Sequence, residues 1–125
     1  MKEVVQTNNA PQAIGPYVQA VKINGMLYTS GQIALNAKGE LVQGDIKVQA
    51  TQVMQNLKAV VEAAGSNMEK LIKTTCFIKN MDDFVAFNEV YVSFFEGITP
   101  PARSCVEVAR LPKDVLIEVE AIAQL

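Results

Sequence analysis

Four residues near the C-terminal end of this 125-residue sequence have types and spacing suited to chemistry: Arg103, Cys105, Glu118 and Glu120. They fall at alternate positions of two apolar runs, 102–108 and 116–123, and alternation along a strand places such residues on one face. In the first run Arg103, Cys105 and Glu107 share a side, while Ser104, Val106 and Val108 share the other. In the second, Glu118 and Glu120 lie with Leu116 and Ile122, while Ile117, Val119, Ala121 and Ala123 face away. Carboxylates in a strand this apolar are costly unless paired or hydrogen-bonded. If the two runs form a hairpin with Cys105 near Glu118, a guanidinium and a carboxylate converge on one surface. The guanidinium suits bidentate capture of a substrate carboxylate. The carboxylate suits positioning or activating water. The same residues also fit a plain ion pair of Arg103 with Glu118 or Glu120, and a slip of one residue in register would part them.

What the sequence lacks narrows the chemistry further. It has no His, which removes Ser-His-Asp and Cys-His catalysis, His-ligated metals and His-based pH switching. Acid–base work falls to Glu, Asp, Tyr, Lys, Cys or water. Cys76 and Cys105 form no CxxC motif and sit in apolar runs, where Cys behaves as a small hydrophobe. No adjacent base activates Cys105 as a nucleophile. Eleven basic residues are scattered among thirteen acidic ones, for a net charge of −2. That balance argues against nucleic acid as the main partner. Ala13-Ile14-Gly15-Pro16-Tyr17 reads as a turn ending in an aromatic. Gly31, in Ser30-Gly31-Gln32, marks a bulge or a close approach of another group.

The elements that must position these residues are legible as periodicity. Val18–Ile23 and Met26–Gln32 are split by Asn24-Gly25, a strong hairpin signal. Ile46 to Ala64 reads as a helix, apolar at 46, 50, 53, 54, 57, 60, 61 and 64, with Gly65 as its stop. Leu71–Ile78 reads as a strand. Asn80 caps a second helix, with Asp82 and Asp83 in its first turn. Phe84, Phe87, Tyr91, Phe94 and Phe95 give that helix an aromatic stripe, read as core packing. Half the residues are hydrophobic and 19% are charged, so one domain over 1–125 with one core is expected. The predicted class is α+β, a single mixed sheet with both helices on one face. The other face then needs cover, which predicts an oligomer. No secretory pattern or membrane-length apolar stretch is present, so a reduced, cytoplasmic protein is expected.

The segment Pro101-Ala102-Arg103-Ser104-Cys105-Val106-Glu107-Val108-Ala109-Arg110-Leu111-Pro112-Lys113-Asp114 closely resembles the signature of the RidA/YjgF family of reactive-intermediate deaminases. Ala13–Tyr17, Ser30–Gln32, Asn56-Leu57 and Ile117–Glu120 match in the same order, so the resemblance covers essentially the whole chain. It implies a chorismate-mutase-like fold and a homotrimer with three clefts between subunits. It implies hydrolysis of 2-iminobutanoate and 2-iminopropanoate to 2-oxo acids and ammonia, these imines arising from enamines released by pyridoxal-phosphate dehydratases. No metal or organic cofactor is implied. By the same resemblance Arg103 binds the substrate carboxylate, and the Cys105 main chain hydrogen-bonds the imine nitrogen. Glu118 positions water or shuttles a proton, Tyr17 and Gly31 shape the cleft, and Tyr17 and Asn88 help to order substrate or water. A non-catalytic binder of small carboxylates or 2-oxo acids is the alternative; a ribonuclease or translation inhibitor is a third reading.

Overall fold

A computed structural model describes residues Met1–Leu125. Six strands form one sheet: β1 (Glu3–Val5), β2 (Ala20–Ile23), β3 (Met26–Thr29), β4 (Leu71–Ile78), β5 (Ala102–Glu107) and β6 (Ile117–Gln124). Two helices, α1 (Ile46–Ala63) and α2 (Phe84–Ser93), complete the α+β domain. The predicted Asn-Gly hairpin forms between β2 and β3. Asn24 and Gly25 take φ of 51° and 76°, the left-handed pair of a type I′ turn.

Helix α1 starts where Asp45 accepts a hydrogen bond from the Val48 N–H at 3.0 Å, satisfying a donor the helix itself leaves free. It stops at Gly65, with φ of 89°. There the Gly65 and Ser66 N–H groups bond back to Glu62 and Val61, a Schellman close that needs a left-handed residue. The apolar stripe of α1, from Ile46 to Val61, is buried against the sheet. Two polar residues are buried with it. Asn56 donates to the Ile33 and Leu35 carbonyls at 3.1 and 2.8 Å. Gln49 donates to the Val42 carbonyl and accepts from the Leu116 N–H. These amides pin the two loops that flank Glu118 to the helix.

The strand order is β1-β2-β3-β6-β4-β5, which corrects one expectation. The runs around Arg103 and Glu118 do not form a hairpin. β5 pairs parallel with β4 at the sheet edge, and β6 pairs antiparallel on β4's other side. The cause is the α2 connection: a helix between two strands carries the chain back over the sheet, so the second strand runs parallel to the first. β6 then fills the gap between β3 and β4. Across this register Arg103, Thr74 and Ala121 stand in one row, and Cys105, Cys76 and Val119 in the next. Both rows face the helices. Glu118 shares a row with Phe77 and Val106, and Glu120 with Thr75 and Ser104, on the helix-free face.

Candidate active site

The candidate residues form two groups, not one. Arg103 points from β5 toward α2. Its guanidinium carbon lies 4.7 Å from the Tyr91 ring centre and 5.3 and 5.9 Å from those of Phe84 and Phe87. Nη1 donates to Asn88 Oδ1 at 2.8 Å. Cation–π contact and one amide therefore hold the guanidinium rigid and half-buried, with donors left for a ligand. Tyr91 is itself anchored by a 2.6 Å bond to the buried Thr74 hydroxyl. Of the aromatic stripe, Phe87, Tyr91 and Phe95 are core, as its period implies, while Phe84 and Phe94 are only partly buried; Phe84, Phe87 and Tyr91 are also the platform for Arg103. Asn88 holds Arg103 rather than standing apart.

Cys105 follows on the same face. Burial pushes its thiol pKa up, against the opposite pull of Arg103, so the thiol stays protonated and is a poor nucleophile. Its main chain is better placed. The Val108 N–H bonds to the Ile78 carbonyl. By the period of two in a parallel ladder, even-numbered β5 residues serve β4. The N–H and C=O of Cys105 therefore lie on the open edge of the sheet.

Glu118 lies on the other face, in a cavity of about 610 Å³ that Tyr17, Gly31, Gln32, Ile33 and Lys113 also line. Gly31 explains its placement. A Cβ there would stand 2.8 Å from Glu118 Cδ and closer still to Oε2, so the carboxylate lies directly across the glycine. The Gln32 N–H and C=O pair with Val119 at 2.8 and 3.1 Å, locking that approach. Tyr17 is half exposed at 52%, and its N–H closes a turn onto the Gly15 carbonyl at 2.9 Å. Buried Gln19 bonds Thr7 and Pro11 and fixes the remaining wall. Burial, and then the neighbouring Glu120, hold the Glu118 pKa above the ordinary carboxyl value. Such a group holds its proton more tightly than a free carboxyl and is a stronger base once ionised.

Sequence reasoning named Arg103, Cys105, Asn88, Tyr17, Gly31 and Glu118. It missed the ring platform for Arg103 and the clamp Gln49, and it met Asn56 and Lys113 only inside matched motifs, without a role for either. A polar residue inside an apolar helical stripe, as at Asn56, was the available signal for the clamps. No group of three or more His, Cys, Asp or Glu residues is placed to hold a metal ion, and no helix is long and apolar enough to cross a membrane.

The family model described as endoribonuclease L-PSP matches residues 7–125. A RutC family protein of Pyrococcus horikoshii is 56% identical, over 98% of each chain. The 2-iminobutanoate/2-iminopropanoate deaminase of Escherichia coli K12 is 54% identical, again over 98% of each. The crystal structure of E. coli TdcF with bound serine superposes with a TM-score of 0.94 at 48% identity, covering 98% of each chain.

Proposed function

Because the chain belongs to the endoribonuclease L-PSP family, which includes the RidA/YjgF proteins, we propose that it hydrolyses 2-imino acids such as 2-iminobutanoate and 2-iminopropanoate to 2-oxo acids and ammonia. The E. coli deaminase at 54% identity supports this reading, as does an amino acid bound to a relative of the same fold.

A protonated imine is already electrophilic, so orientation and proton management suffice as catalysis. Arg103 holds the substrate carboxylate. The Cys105 main chain takes the imine N–H. Glu118 orients water, accepts its proton as the oxygen adds to C2, returns that proton to nitrogen to make ammonia the leaving group, and takes the hydroxyl proton as the carbonyl forms and the carbon–nitrogen bond breaks. Tyr17 and Gly31 shape the cavity in which this occurs. Arg103 and Glu118 of one chain lie on opposite sheet faces, so the same reading includes assembly. The β5 edge of one subunit meets the Glu118 cavity of the next in a homotrimer. The reading places this work in the cytoplasm.

The observation that carries the proposal is the Glu118 carboxylate held across Gly31 with its pKa raised. A pure carboxylate-binding module gains nothing from a second carboxylate. For an RNA-cleaving site, the Glu118–Glu120 pair would repel phosphate. The test follows 2-oxobutanoate release while a threonine dehydratase generates 2-aminocrotonate, with semicarbazide competing for the imine. Faster release with wild type, lost in Arg103→Ala, is the expected result. Release no faster than buffer overturns the proposal.

A further inference from the structure

The turn between β5 and β6 contains a backbone outlier. Three non-glycine residues have positive φ: Asn24, Lys113 and Asp114. Asn and Asp visit that region readily; Lys does not. Lys113 holds φ of 56° and ψ of 21°. The surroundings enforce this conformation from both sides. Leu111 and Val115 are buried and anchor the turn. Pro112 fixes its entry. Arg110 grips Asp114 with bonds of 2.8 and 3.3 Å, and the Asp114 N–H closes onto the Leu111 carbonyl at 3.0 Å. Strain that is over-determined in this way is of the kind that clusters at functional sites.

The placement of Lys113 suggests what its function is. It lines the Glu118 cavity, where it is the only cation and Glu118 the only carboxylate. Arg103 is on the opposite face of the same chain's sheet, so nothing else on this chain offsets the charge of Glu118 toward an anionic ligand. We propose that Lys113 is a further substrate-binding residue, whose ammonium meets the substrate carboxylate at the cavity and selects anionic imines over uncharged ones. This rests on the imine-hydrolase reading for the identity of the ligand.

The test measures binding of 2-oxobutanoate and of uncharged 2-oxobutanamide by calorimetry, with imine hydrolysis assayed in parallel. Lys113→Gln weakens 2-oxobutanoate about tenfold, the effect of losing one charge-assisted hydrogen bond, and leaves the amide unchanged. Lys113→Gly shows the same loss while Tm rises by about 3 °C, because glycine relieves the left-handed strain. A merely structural lysine would not couple weaker binding to higher stability. Unchanged 2-oxobutanoate affinity in both variants overturns the proposal, as does equal weakening for the amide or no binding by wild type. The two readings separate cleanly. Lys113-dependent binding without imine hydrolysis sinks only the deaminase, and hydrolysis with a KM indifferent to Lys113→Gln sinks only the lysine.

Discussion

Glu118 carries two opposing demands. Its site disfavours the charged form, through burial first and Glu120 second, yet orienting water calls for an oxygen that accepts a hydrogen bond. A raised pKa reconciles the two in part, because the carboxylate, once ionised, is a stronger hydrogen-bond acceptor and base. Glu120 follows two positions along β6 on the same face, and the only basic group that neighbouring strands present there, Lys73, is bonded to Ser104 Oγ. Glu120→Gln is therefore expected to lower the Glu118 pKa, moving the acid limb of the kcat/KM profile to lower pH. Carboxyl-carbon NMR titration of Glu118 checks this independently of turnover. Glu118→Gln is expected to cut kcat/KM by about 10²–10⁴-fold. Its effect on stability has the opposite sign and a defined pH window. A raised carboxyl pKa destabilises the fold once the group must ionise. The variant should therefore gain Tm over wild type above the raised pKa, a gain that shrinks as pH falls through that pKa and is gone below about 4.5. The gain is small because the side chain is only partly shielded. A gain independent of pH would contradict the assignment.

Among the elements, the segment Ser30–Gln32 decides where Glu118 points. Its main chain pairs with Val119 and its glycine leaves room for the carboxylate. Gly31→Ala meets no conformational barrier, since Gly31 is not among the positive-φ glycines. The new methyl group must push Glu118 aside instead. Kinetics should show kcat/KM lowered by about 10²-fold with the fold intact, the usual effect of an ångström-scale displacement. Asn56→Ala tests the support behind that segment. It strands the Ile33 and Leu35 carbonyls and should cost about 1–3 kcal/mol in denaturant unfolding. Sequence patterning read these elements unevenly, for physical reasons. The Asn24-Gly25 turn, the α1 stripe and β4 are local signals, set by side chains within one element. The pairing of β5 and β6 is not local. Alternation says which residues share a face, but neither which strand lies next door nor which face meets the helices. Arg103 and Glu118 were therefore legible as candidate residues, while their separation by the sheet was not. The Glu118–Gly31 contact spans most of the chain, and the left-handed Lys113 leaves no mark in composition.

At the scale of the molecule, the sheet separates the two groups that the proposed reaction brings together. Arg103 and the free main chain of Cys105 sit on the edge strand β5, and Glu118 sits in its cavity on the other face. An open edge strand invites pairing or cover, and exposed Tyr28 and Val106 on the helix-free face point the same way. If each site joins the edge of one subunit to the cavity of its neighbour, two inactive variants can repair each other. Arg103→Ala subunits keep intact cavities, and Glu118→Ala subunits keep intact edges. After equal mixing by joint refolding, random assembly of a closed ring gives about one site in four with both intact groups. The mixture should recover about a quarter of the wild-type rate, although each parent alone is nearly inactive. Refolding each variant separately before mixing controls for contamination and should recover nothing unless subunits exchange. A site complete within one chain predicts no recovery in either case. It would require Arg103 to leave its three aromatic rings and cross the sheet, which the parallel β4–β5 register forbids. Absence of recovery in verified mixed oligomers would therefore remove the intersubunit site, and with it the roles assigned jointly to Arg103 and Glu118.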